Sequence, residues 1–173
     1  YSTRITELIF SPLIGVDKEQ NPMPVLASKF EISKDGTEIV VFLKTGVKWH
    51  DGNNFIADDV IFTVKAMKHP KTTTSDKAML MLIKKVEKIG ESVLKFKFVR
   101  PVGNPARYLS FKILPKHLFN SPYIKRDNFF GRKPVGTGPF KFVRWSGNNK
   151  IELQKNPYYF APLFLSGIDF QEI

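Results

Sequence analysis

The sequence predicts an α+β fold with mixed, mostly antiparallel sheets and a few helices, and three observations predict it. Apolar residues alternate with polar ones in short runs of strand length. Those runs are separated by turn signals at Asp35-Gly36, Gly90-Glu91 and the Ser-Gly-Asn-Asn stretch 146–149. One segment, from about Ala57 to Lys68, instead carries Val60, Ile61, Val64 and Met67 on a single helical face. Strands that follow one another through tight turns, with few helices between them, pair antiparallel.

In chain order, the opening Leu8 to Ile14 run reads as a strand or short helix, followed by extended chain punctuated by Pro22 and Pro24. Phe30 to Ile32 and Ile39 to Leu43 form a hairpin about Asp35-Gly36, where glycine accepts the positive φ of a tight turn. Asp58 and Asp59 favour the positive end of the 57–68 helix, and His69-Pro70 stops it because proline cannot continue the hydrogen-bond ladder. A second helix begins in "KTTTSDKAMLMLI" with a Thr or Ser cap, and Met79 and Met81 on it are read as core. Another hairpin turns at Gly90-Glu91. Residues 105–119 give a short helix, an extended segment and a Pro-initiated turn from Pro115 to Phe119. Phe140, Phe142 and Trp145 against Ile151 and Leu153 make a further hairpin, and "GIDFQEI" is a last strand.

The 173 residues suffice for one domain or two small subdomains. A chain that is 42% hydrophobic and 13% aromatic is not disordered, and sixteen Phe against two Trp make its core Phe-rich. No apolar run approaches the roughly 18–20 residues that cross a bilayer as a helix. The sequence starts at Tyr1 without a basic and apolar leader, so any leader is expected to have been removed. With no cysteine, disulfides, thiolate metal sites and thiol nucleophiles are excluded.

Lys plus Arg number 27 against 16 Asp plus Glu, a formal charge of +11 that raises a nucleic-acid hypothesis. The distribution argues against it. Lysines alternate with apolar residues, as in "LKFKFVR" at 94–100, which on a strand places them on the solvent face. No basic-aromatic RNA motif accompanies them, so no nucleic-acid partner is expected.

Trp49, His50, Asp51 and Gly52 form the most distinctive corner, but catalysis there would need a nucleophile or metal partner. The chain has only His50, His69 and His117, with no metalloprotease helix and no nucleophile elbow. The corner therefore reads as turn chemistry, with Trp49 an anchor and Asp51 capping its own turn. On that reading Trp49→Ala is severe and His50→Ala mild. Gly136 to Pro139, "GTGP", fails as a phosphate cradle because Pro139 removes an amide and a strand follows where a helix is needed. Tyr158 and Tyr159 in "NPYYF" read as packing at an element end.

Taken in order, "PVLASKFEISKDGTEIVVFLKTGVKWHDGNNFIADDVIFTVKAMKHP", "FKILPKHLF", "PVGTGPFKFVRW", "IELQKNPYYF" and "GIDFQEI" resemble the family 5 extracellular solute-binding proteins, the peptide- and nickel-binding receptors of ABC importers. The resemblance implies one lobe of a two-lobed, periplasmic-binding-protein type II-like fold. It also implies that Trp49, His50, Asp51, Gly52, Gly136 and Gly138 are scaffold. Family members are more than twice this long, so residues 1–173 are expected to be a partial N-terminal lobe, with the second lobe and a returning C-terminal segment absent.

The function implied is capture of a peptide or related small solute and its delivery to a membrane permease, in the periplasm or outside the cell, with a lipid anchor possible in the family. No enzyme activity, cofactor or resident metal is implied. A basic nucleic-acid module and a small hydrolase using His50 or His117 stand as alternatives. By the same resemblance the ligand cleft draws on Phe10, Ser11, Pro12 and Leu13, on Ser75, Lys77 and Met79, and on Tyr108, Ser110 and Phe111. Two departures stand out. Ile56 occupies a position where relatives often have a capping Thr, and Phe10-Ser11-Pro12-Leu13 lacks the carboxylate of an aromatic-Glu-Gly-Leu loop.

Overall fold

The computed structural model describes residues 3–72, 74, 76–124, 129–146 and 150–171. The chain opens with helix α1 (Thr3–Ile9), then strands β1 (Ile14–Val16), β2 (Pro22–Pro24), β3 (Ala27–Ile32) and β4 (Glu38–Leu43). Helices α2 (Ala57–Lys68) and α3 (Lys77–Met81) lead into β5 (Ile83–Gly90) and β6 (Val93–Phe98). Short 3-10 turns at Pro105–Leu109 and Lys116–Leu118 precede β7 (Phe140–Ser146), β8 (Lys150–Lys155) and β9 (Gly167–Gln171). All described strand pairs are antiparallel, so the predicted class stands.

The chain divides into two units, the first made of Tyr1–Ser11, Gly46–Phe55 and Arg126–Ile173, the second of Pro12–Thr45 and Ile56–Lys125. The second unit is built on a four-stranded sheet in the order β3-β4-β6-β5. Strands β4 and β6 alternate strictly, burying Ile39, Val41 and Leu43 on one and Leu94, Phe96 and Phe98 on the other. The opposite face holds the lysines of "LKFKFVR" in a mixed-charge array. Lys95 and Lys97 reach Glu38 at 3.4 and 3.7 Å, and Lys97 reaches Glu87 at 3.3 Å. Such half-exposed pairs contribute little stability but settle which side of the sheet meets water.

Helix α2 has the bounds read from its apolar face, and it buries Val60, Phe62, Val64 and Ala66. Its start shows what Ile56 costs and what Asp59 restores. Isoleucine has no side-chain acceptor, so the Asp59 amide bonds the Ile56 carbonyl oxygen at 3.0 Å instead. The other half of the capping box survives: Asp59 Oδ2 accepts the Ile56 N–H at 2.9 Å. The second oxygen of this buried carboxylate accepts the Lys116 N–H at 2.9 Å, and one helical turn on, Thr63 Oγ1 accepts the Leu114 N–H at the same distance. Two polar side chains on one helix face thus fix the 114–116 segment along α2.

In the first unit β7-β8-β9 form a three-stranded sheet. Phe140, Ile151 and Leu153 pack with Ile5, Ile9 and Phe10 of and beyond α1 into one apolar cluster. A register shift between Phe142 and Arg144 interrupts the alternation, and Trp145 stands 56% exposed. Met81 corrects the sequence reading in the same sense. It is 54% exposed, because α3 has only five residues and its buried position goes to Leu80. The α3 start departs too: Asp76 stands at the N-cap with no side-chain bond to the helix.

Candidate functional site

The Trp49–Gly52 corner and the Gly136–Gly138 loop form one hydrogen-bonded assembly within the first unit. Gly52, at φ +89°, closes the turn by donating its N–H to the Trp49 carbonyl at 2.9 Å. Asp51 Oδ1 accepts the Asn53 N–H at 3.2 Å, the local cap expected of it. Trp49 is fully buried, its ring edge-on to Phe55 with centroids 6.0 Å apart.

His50 spans the loop. Its Nδ1 accepts the Gly136 N–H at 3.1 Å, its Nε2 lies 3.1 Å from the Gly138 carbonyl oxygen, and its own N–H donates to the Gly136 carbonyl at 2.9 Å. An acceptor at Nδ1 and a carbonyl at Nε2 require the neutral tautomer protonated on Nε2. Asn156 completes the set, donating Nδ2–H to the Gly138 carbonyl at 2.9 Å while its Oδ1 accepts the Tyr158 N–H. The loop amides are therefore committed: Gly136 to His50, and Gly138 to the Ile9 carbonyl at 2.8 Å. Both glycine amides of the loop are thus spent on this chain's own acceptors.

The expectation that His50→Ala is mild does not survive this geometry, because the ring satisfies two backbone groups of another segment. Burial pushes the imidazole from 6.5 down to about 4; the Gly138 carbonyl opposes that shift, Lys141 adds to it and Asp51 opposes it. A second proton would land on Nδ1 and face the Gly136 N–H. Because the folded pKa lies below the unfolded one, the unfolded chain binds the proton more readily. The stability this ring contributes is thus fully present above pH 6.5 and is lost as pH falls towards 4, by roughly 3 kcal/mol in all. Denaturant midpoints measured between pH 7 and 4 are expected to fall over this window in the parent chain. In His50→Ala they start lower by about 1–3 kcal/mol and lose that part of the pH dependence; unchanged curves would show that the ring does not bridge the loop.

The residues assigned to a cleft by resemblance are distributed unevenly. Phe10 belongs to the first unit's core and meets the Phe130 ring at 5.8 Å, and Ser11 is buried. Leu13 and Phe111 are buried in the second unit. Large apolar side chains in these segments hold the segments in place, and burial removes them from a ligand's reach within this chain. The structure does bring two of the segments together, since Pro12 bridges Lys112 in antiparallel fashion. Tyr108 is half-buried, edge-on to Phe98 at 5.5 Å, and Ser110 is exposed, its hydroxyl bonding the Arg107 carbonyl. Lys77 donates to the Pro70 and Thr72 carbonyls, and Met79 is half-buried; no described hydrogen bond joins either to Pro12 or Tyr108. Ser75 lies outside the described residues.

Two residues with central places were missed, one wholly and one in part. Asn156 was passed over for the tyrosines beside it, although Asn-Pro is a turn-initiating pair. Asp59 is legible in the sequence as a charge at a helix start and as the partner of a capping box whose Thr is replaced by Ile56, but not as the acceptor of the Lys116 N–H, a backbone group 57 residues away that carries no side-chain signal.

The family model described as bacterial extracellular solute-binding proteins, family 5 Middle, matches residues 21–173. The chain belongs to that family. Family 5 similarity extends to the oligopeptide-binding protein AppA of Bacillus subtilis (strain 168), 34% identical over 92% of this chain and 30% of that protein. The structure of AppA from Bacillus subtilis in complex with a nonapeptide superposes with a TM-score of 0.90 at 32% identity, over 99% of this chain and 35% of that one. NikZ from Campylobacter jejuni in complex with Ni(L-His) superposes with a TM-score of 0.88 at 36% identity, over 96% of this chain and 34% of that one. The chain thus spans about a third of the length of the family 5 proteins it matches. These neighbours share its mixed fold with antiparallel sheets.

Proposed function

We propose that residues 1–173 are the N-terminal lobe of the substrate-binding component of an ABC importer, which captures peptides outside the cytoplasmic membrane and delivers them to a permease. The observation that carries this reading is the superposition, over nearly the whole chain, on a family 5 protein holding a nonapeptide. The work is capture. Relatives are solute-binding proteins, and the corner most suggestive of catalysis spends both ring nitrogens of its histidine on backbone groups. Pro12, Lys77, Met79, Tyr108 and Ser110 are the members of the proposed cleft that keep solvent access. They supply one wall, and a second lobe, together with a returning segment, supplies the other. A second reading, a nickel chelate as cargo, is favoured by the likeness to NikZ.

Closed ligand sites remove roughly 70–90% of a small ligand's surface from water, and each decade of affinity is about 1.4 kcal/mol. Residues 1–173 alone are therefore expected to bind the best peptide at least tenfold more weakly than a polypeptide that adds the second lobe. Calorimetry on both, after a thermal-shift screen of peptides and of Ni(L-His), checks it. Equal affinities would show a complete pocket in one lobe, and no stabilisation of the two-lobed protein by any peptide would sink the peptide reading.

A further inference from the structure

The positive charge of this chain is concentrated. Between Glu91 and Asp127 there is no acidic residue, while Lys95, Lys97, Arg100, Arg107, Lys112, Lys116, Lys125 and Arg126 all fall there. The stretch 77–86 likewise has Lys77, Lys84 and Lys85 and no acid. Strand pairing places the end of one stretch beside the start of the other: Ile83 pairs with Phe98, and the Val99 N–H donates to the Leu82 carbonyl at 2.9 Å. At this junction two large apolar side chains, Met81 and Val99, are each 54% exposed.

The cations about them differ in what they meet. Lys85, Lys95 and Lys97 are engaged by Glu87 and Glu38 on the sheet face. Lys84 and Arg100 are exposed and make no ion pair among the described residues. Two uncompensated cations thus accompany two exposed apolar tips.

We propose that this junction, Met81 to Lys84 with Val99 and Arg100, rests on an anionic lipid surface. The two components match the two terms of interfacial binding. Lysine and arginine near a negatively charged bilayer are each drawn to it without needing a shaped partner, and small apolar tips gain by entering the headgroup boundary. A solvated basic face would need only the cations. An edge strand protected against aggregation would need only its lysines, and β5 is such an edge. Neither accounts for Met81 and Val99 exposed at the same spot.

Sedimentation of the chain with large unilamellar vesicles tests this. Binding is expected with vesicles of equal phosphatidylglycerol and phosphatidylcholine and not with phosphatidylcholine alone, and it should weaken at least tenfold when salt is raised from low to above physiological strength. Lys84→Glu with Arg100→Glu is expected to weaken partitioning at least tenfold. Met81→Ser with Val99→Ser should weaken it severalfold at a salt level where the charge term is screened. The control is Lys18→Glu with Lys34→Glu, two exposed lysines elsewhere on the second unit that change net charge equally. Melting curves confirm that each variant folds. An equal loss in the control would reduce the effect to net charge and overturn the proposal. So would binding that ignores lipid charge, or no binding to anionic vesicles at all, the outcome expected if an acidic protein is the true partner of these cations.

Discussion

Trp49→Ala is expected to lower stability by about 3–5 kcal/mol, enough to leave the first unit unfolded at room temperature. The indole is wholly buried, it stacks edge-on against Phe55, and its backbone N–H and carbonyl hold the turn through Asn53 and Gly52. Removing it empties a space that Val47 and Phe55, themselves buried, cannot refill without moving the turn that places His50. Guanidinium unfolding followed by circular dichroism checks the magnitude. Trp49→Phe, which retains an aromatic ring, is expected to lose about half as much. A midpoint for Trp49→Ala within about 1 kcal/mol of the parent would mean that the corner tolerates a large cavity and does not anchor the unit.

Gly136→Ala is expected to be at least as damaging, through overlap where Trp49→Ala acts through a void. A Cβ at this position would occupy the place of the Ile9 carbonyl oxygen and stand 3.1 Å from Ile9 Cγ2. Backbone cannot swing aside as a flexible side chain does. Either the end of α1 retreats, breaking the Gly138 N–H bond to Ile9, or the loop retreats, breaking the Gly136 bond to His50. Strain of this kind plus one or two lost hydrogen bonds amounts to roughly 3–5 kcal/mol. Gly103→Ala is the matched control, since a Cβ there meets nothing within 4 Å, and its midpoint is expected to stay within about 0.5 kcal/mol of the parent. Equal midpoints for the two variants would show that the loop and α1 are not in contact.

The difference between what could be read in the sequence and what could not follows the range of the interaction. Helix α2 and the hairpins about Gly36 and Gly90 were legible because periodicity, helix stops and turn residues act over a few positions. Trp49 was legible as an anchor because few environments suit an indole beside a tight turn. The role of His50 was not, since its partners lie 86 and 88 residues away and are backbone groups, which carry no side-chain signature. Asn156 was hidden likewise, its amide bonding a carbonyl 18 residues back. Met81 failed for another reason: in a five-residue helix only one side chain need face inward, and periodicity cannot say which. For the cleft, resemblance located chain segments, while burial within those segments was decided by cores that the motifs do not describe.

The way the first unit is threaded has a consequence for how it is made. Its parts come from residues 1–11, 46–55 and 126–173, so α1 is synthesised long before the strands that pack on it, and the Trp49 corner long before the Gly136–Gly138 loop that His50 bonds. About 90 residues separate the corner from β7, which at roughly 5–20 residues per second is a wait on the order of ten seconds. The second unit has all four strands of its sheet once Phe98 has emerged. During that interval Ile5, Ile9 and Phe10 are apolar side chains with no sheet to meet. A nascent or translocating chain with this order depends on holding factors, or on speed, to reach its last hairpin without aggregating.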